Sequence, residues 1–338
     1  MIERYWKKIK EAGYAFTYLS LLFFFKKDIR QKNQRFLGLY RKGKEPKKAN
    51  GGGGRVVFVN DCILHMGLAD RLKGILTFYQ LSKKHRRPFY IHWTLPYPLT
   101  DYLVPANYDW RIDSSEISFD TRYTLPVKTL SNTRGNHINK LIIEGWLKRS
   151  RKDIHVVSNW PLYEDLYPKL FNELFRPSPL LEEALRPYEA KGRYYSYTFR
   201  FMRLLGDFED VRGDILDEDE REKLIQKNLK ELKKLMESLP KGYKALVTSD
   251  SGTFLSRVEG SDSRIFTVPG NRIHPVAFFH HREKVSVNPD SFLKSFVDFF
   301  LIMRAEKVYA LTTDKMYNTG FPKVAAKIGN KPFIRHNF

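Results

Sequence analysis

The residues best suited to chemistry lie in the second half of this 338-residue chain. Thr198-Phe199-Arg200 closes an aromatic run, and an arginine in such a run is costly to bury without an anion. A diphosphate would meet that need, because a guanidinium grips phosphate oxygens as a fork. An internal carboxylate is the other reading. Val247-Thr248-Ser249-Asp250-Ser251 passes from strand into small polar residues. It reads either as a helix N-cap or as a carboxylate and hydroxyls set on a sugar or ribose. Asp298 sits inside the apolar run SFVDFFLIMRA without an obvious helical partner, so it calls for a donor such as the N1 and N2 hydrogens of guanine. His65 to Gly74 (HMGLADRLKG) joins the first strand to its helix, where backbone N–H groups attract anions. There Gly67 allows close backbone approach and Arg71 adds positive charge. Equally, Asp70 caps the helix and Arg71 is solvated.

Metal chemistry finds little support. Asp217-Glu218-Asp219-Glu220 contains a nominal Asp-x-Asp but opens a long helix, where acids favour the dipole. The nine histidines show no ligand spacing, and His280-His281 is a lone pair.

These groups need a scaffold, and the pattern supplies two α/β halves. Arg55–Asn60 is a β-branched strand, Leu68–Lys84 a helix and Pro88–Trp93 a strand, which makes a βαβ unit. Ile154–Ser158 adds a strand, with poorly patterned sequence before it. Residues 163–189 read as a helical connection broken at Pro177 and Pro179. The second half alternates more clearly: strand Tyr194–Phe201, helix Glu218–Leu239, strand Ala245–Thr248, a short helix near Thr253 and strand Ile265–Val268. Helix Phe292–Ala305, strand Val308–Leu311 and helix Phe321–Ile328 complete it. Ligands of such sheets bind at the carboxyl ends of the strands. That rule selects Ser249–Asp250–Ser251 and Thr312–Thr313–Asp314. Two Rossmann-like domains facing each other across a cleft are the GT-B architecture, with domains expected at 55–185 and 186–338.

Residues 1–54 differ. They carry 14 basic against 4 acidic residues, about half of a formal charge of +21. Tyr14–Phe25 (YAFTYLSLLFFF) is aromatic and aliphatic between lysines. Its twelve residues span only about 18 Å as a helix, too short to cross a bilayer. A signal peptide is not expected either, since no small-residue cleavage site follows Phe25. The run reads as an interfacial helix or as part of the core. Arg41–Gly54 reads as a linker. No nucleic-acid motif is present, so nucleic acid is not an expected partner. One cysteine, Cys62, fits a reducing compartment.

Together, Gly67–Arg71, Arg200, Thr248-Ser249-Asp250 and Asp298 resemble the α1,6-fucosyltransferase and nodulation-fucosyltransferase group, which is related to the protein O-fucosyltransferases. Gly67–Arg71 is similar to its early glycine-rich motif, and Arg200 to the arginine of its His-x-Arg motif. Thr248-Ser249-Asp250 is similar to its Thr-Asp-Asp, and Asp298 to its guanine-reading aspartate. Thr312 and Thr313 stand where its phosphate-binding Ser/Thr loop lies. Here Thr198 replaces the family histidine, Phe201 the second arginine and Ser249 the first aspartate.

The resemblance implies an inverting, metal-independent glycosyltransferase of surface-polysaccharide synthesis. Fucose would move from GDP-fucose to a glycan or lipid-linked glycan, with no cofactor beyond the GDP-sugar donor. Residues 55–185 would form the acceptor domain and 186–338 the nucleotide-sugar domain. Arg200 and the 312–313 loop would stabilise the departing GDP, and Asp207 or Glu209 would take the acceptor proton. Gly206 favours Asp207 by letting it turn sharply. Another nucleotide-hexose donor, or a non-catalytic basic glycan-binding protein on the same fold, is the alternative. The expected location is the cytoplasmic face of the membrane, held peripherally by residues 1–40.

Overall fold

The computed structural model describes residues 38–41, 54–60, 67–129, 136–208, 214–272, 290–313 and 315–338. The Tyr14–Phe25 run, residues 42–53, Cys62 and His280-His281 lie outside them. Two compact units emerge. One comprises Met1–His65, Arg71–Leu95 and Tyr108–Tyr163, and the other Met66–Asp70, Pro96–Asn107 and Glu164–Phe338.

In the first unit, β1 (Val56–Asn60), α1 (Leu68–Lys84) and β2 (Phe89–Trp93) form the expected βαβ unit. After them come β3 (Thr124–Thr129), α2 (Asn136–Arg149) and β4 (Asp153–Ser158). The strands make a wholly parallel sheet in the order β2-β1-β4-β3, with Val56 beside Phe89 and Ile154. Every residue of β1 is buried. A strand covered on both faces needs this continuous apolar run instead of an alternating one. Helix α1 presses so closely on β4 that a Cβ at Gly74 would land on the Ser158 carbonyl. Thr77 fastens the same contact, donating to the Trp160 carbonyl at 2.6 Å and accepting from the Leu162 N–H at 3.0 Å.

The second unit opens with α3 (Tyr167–Leu174) and α4 (Pro179–Leu185). It continues through β5 (Tyr194–Phe199), α5 (Glu218–Glu237), β6 (Lys244–Ser249), α6 (Gly252–Val258), β7 (Ile265–Phe266), α7 (Asp290–Arg304), β8 (Lys307–Thr312), α8 (Phe321–Ile328) and β9 (Phe333–Asn337). The sheet order is β9-β8-β5-β6-β7, again all parallel. Asp217 caps α5 by accepting from the Glu220 N–H at 2.8 Å, which is the capping reading of the Asp-x-Asp run. Helix α7 is apolar nearly all round, and its residues from Phe296 to Ile302 are all buried. Such a helix has to be enclosed by other elements.

That enclosure moves the division of the chain. The sequence places it at 185/186, whereas the compact units part at Tyr163/Glu164. The rings of Phe171 and Phe300 meet at 6.0 Å, which draws α3 to α7. Residues 96–107 join the same unit because Tyr102 stacks on Phe296 at 4.2 Å and Tyr97 packs on Phe292. Strand β5 is shorter than expected, leaving Arg200 and Phe201 in the loop beyond it. Strands β3 and β9 and helix α2 are additions to the sequence reading.

In the first unit His155 is wholly buried on β4. Its Nδ1 lies 3.2 Å from the Tyr40 hydroxyl. Burial first, then His92 and Arg55, pushes its pKa down to about 3. The unfolded chain therefore takes a proton below 6.5 that the native state refuses, and stability falls as pH drops from 6.5 toward 3. Urea unfolding at pH 7, 5 and 4 should show the loss. His155→Leu should flatten the slope by up to about 1.4 kcal/mol per pH unit. Parallel slopes in the two proteins would refute this linkage.

Candidate functional site

The polar residues selected at the carboxyl ends of β5 and β6 come together in the second unit. Thr198 and Thr248 exchange a hydrogen bond of 2.9 Å across the two strands. Two residues further on, the Arg200 guanidinium lies 3.2 Å from the Asp250 carboxylate. The internal-carboxylate reading of Arg200 is thus realised. Its side chain keeps 19% exposure, against 3% for Asp250, and it also stacks over the Phe208 ring at 4.6 Å.

Asp250 does more than pair. Its two oxygens accept the backbone N–H groups of Phe201 and Met202 at 2.9 and 2.7 Å. Met202 has φ +55°, a conformation that costs a side-chain-bearing residue energy. The carboxylate holds that turn in place. Burial raises the Asp250 pKa, while Arg200 and the two N–H groups oppose the shift.

The neighbouring polar groups are partly committed to structure. Ser249 Oγ accepts from the Ser251 N–H at 3.1 Å. Ser251 caps α6, accepting from the Phe254 N–H and donating to Asp207 Oδ2 at 2.8 Å. The same Asp207 oxygen accepts the Thr253 N–H at 2.8 Å. Asp207 therefore ties the loop after β5 to the start of α6. Glu209 lies outside the described residues.

Thr312 and Thr313 turn their hydroxyls to backbone, donating to the carbonyls of Met316 and Phe338. Of the early segment, Gly67 and Asp70 fall in the second unit and Arg71 in the first. Arg71 is buried there, not solvated. It lies 4.5 Å over the Trp93 ring and donates to the Leu95 carbonyl.

Asp298 departs from expectation. It does have a helical partner, since Lys294 one turn earlier on α7 meets its Oδ2 at 2.6 Å. Both side chains are nearly enclosed, at 3% and 11% exposure for Lys294 and Asp298. Asp298 Oδ1 is buried and has no hydrogen-bond partner. Burial raises its pKa, opposed by Lys294 and by the charge of Arg272. The Arg272 guanidinium occupies the space over Gly252, where a Cβ would collide with it.

Sequence reasoning missed Arg272 and Lys294. The i, i+4 spacing of Lys294 and Asp298 was the available signal for one. Arg272 follows a two-residue strand and carries no comparable mark. Among the described residues no cluster of three or more His, Cys, Asp or Glu is placed to hold a metal.

Two α/β units on parallel sheets, with the polar groups on the carboxyl ends of the second, place the fold in the GT-B class. Among solved structures, the chain is similar to fucosyltransferase NodZ from Bradyrhizobium in its selenomethionine form. The TM-score is 0.50 at 14% identity, covering 80% of this chain and 91% of that one. NodZ α-1,6-fucosyltransferase soaked with GDP-fucose gives a TM-score of 0.49 at 14% identity, covering 81% and 92%. POFUT1 in complex with GDP-fucose gives 0.38 at 9% identity, covering 86% and 99%. No protein-family model and no curated protein matches the chain.

Replacing Asp250 tests the centre of this site. Asp250→Ala strands two N–H groups and a guanidinium, and should cost about 3–5 kcal/mol in urea unfolding. Asp250→Asn, which keeps one acceptor oxygen, should cost less. An alanine variant within about 1 kcal/mol of the parent would contradict the role described.

Proposed function

We propose that this chain is a glycosyltransferase that binds a nucleotide-sugar at the carboxyl ends of β5 and β6. The preferred donor is GDP-fucose, and the acceptor a surface glycan. The carrying observation is the cationic rim of that site. Arg200 is steadied by Asp250, and Arg272 is fixed over Gly252. Two guanidinium groups of this kind suit a diphosphate, whose charge grows as the sugar departs. The fold shared with fucosyltransferase NodZ supports the same reading.

The base is read by Lys294 and Asp298. Asp298 Oδ1 accepts a ring N–H, and Lys294 beside it donates to the adjoining carbonyl. Guanine presents that edge, as does uracil, but adenine does not. Transfer proceeds with inversion and without a metal. Arg200 stabilises the leaving diphosphate, and Asp207 or Glu209 takes the proton from the acceptor hydroxyl. The protein works on the cytoplasmic face of a membrane, attached through residues 1–40.

Calorimetry with GDP, UDP and ADP tests the donor. GDP should bind at least about tenfold tighter than ADP, the discrimination expected when a buried polar group is left unmet. A preference for ADP would overturn the base reading. Absence of binding to all three would favour a glycan-binding protein without catalysis. Arg200→Ala should lower turnover by about 10²–10³ while the circular dichroism spectrum is kept. Near-normal turnover would remove Arg200 from the mechanism.

A further inference from the structure

The opposite pole of the first unit, at the amino ends of its strands, carries a second feature. Arg87 gathers three segments there. Its guanidinium donates to the carbonyls of Gly54 at 2.7 Å, Leu147 at 2.6 Å and Ser150 at 2.6 Å. The chain preceding β1 and the carboxyl ends of α1 and α2 are thereby drawn together.

Exposed cations surround this clamp: Lys83, Lys84 and Arg86 at the end of α1, and Lys148, Arg149 and Arg151 at the end of α2. Lys84 pairs with Glu144 at 2.9 Å, which bridges the two helices. His85 registers the field. Its pKa is lowered by burial first, and Lys84, Arg87 and Lys148 lower it further against an opposing Glu144.

One large apolar side chain stands out on α2, about 10 Å along the helix axis from Lys148. Leu141 on α2 is 70% exposed. It shares a helical stripe with Gly145 and Lys148, at i, i+4 and i+7. A Cβ at Gly145 would meet nothing within 4 Å, so the stripe faces outward.

We propose that this pole of the first unit docks on an anionic phospholipid surface. Clustered lysine and arginine are drawn to anionic headgroups over a Debye length. The chain also enters β1 at this pole, through Gly54. Docked this way, the first sheet turns its strand amino ends to the lipid and its carboxyl ends away. This surface is independent of the donor site, and it extends membrane contact from residues 1–40 to the folded unit itself.

Flotation of the full chain on phosphatidylcholine vesicles, with and without 30% phosphatidylserine, tests it. The parent should prefer the anionic vesicles. The quadruple variant Lys83→Gln, Arg86→Gln, Lys148→Gln, Arg149→Gln should partition on them nearly 10³-fold less, at roughly fivefold per cation. Nucleotide binding and the melting temperature of the quadruple variant should match the parent, which separates this surface from the donor site. Equal partitioning of parent and quadruple variant would overturn the proposal. So would indifference of the parent to phosphatidylserine, or a duplex RNA that displaces the parent from the vesicles.

Discussion

A carboxylate removed from water must find donors or give up its charge. At Asp250 four donors converge, two from the backbone of the loop after β5, one from Arg200 and a longer one from the Ser249 hydroxyl. The loop depends on this arrangement, because Met202 adopts a left-handed turn that its own side chain disfavours. Arg200 depends on it too, since the loop fixes its backbone while the carboxylate fixes its guanidinium. Asp207 then links the same loop to α6. A charge–dipole arrangement at one strand end thus orders the neighbouring polar groups.

Buried ion pairs are weak sources of stability, because desolvation offsets most of their attraction. Two such pairs in one unit, Arg200–Asp250 and Lys294–Asp298, therefore ask for another reason to exist. The Arg200 side chain keeps 19% exposure, and Asp298 keeps an oxygen without a partner.

The fold was largely legible in the sequence, because strands buried on both faces leave continuous apolar runs such as VVFVN. Amphipathic α5 declared itself through its leucine stripe and its Asp217 cap. Strand β3 did not, since Pro126 and Lys128 interrupt its pattern and its order comes from pairing with β4. Strand β9, with alternate exposure at the sheet edge, was hidden for a similar reason. At the site, Arg200 and Asp250 were both visible, as residues too polar for their surroundings. That they would face each other was written in the register of two strands fifty residues apart, which no local pattern carries. Lys294 was masked by reading the helix for its apolar face alone. The packing of α3 on α7 was not legible either, because the aromatic contacts binding them are tertiary.

The Arg87 clamp also has a mechanical meaning. Strand β1 lies inside its sheet, paired in parallel on both sides, and the chain joins it at Gly54. Tension applied through the preceding residues would meet β1 along its axis, so its ladder hydrogen bonds would share the load in shear instead of opening one by one. Before that load reached the ladder, the Arg87 bonds would divert part of it into the ends of α1 and α2. A tether attached at that point can be tugged without peeling the sheet.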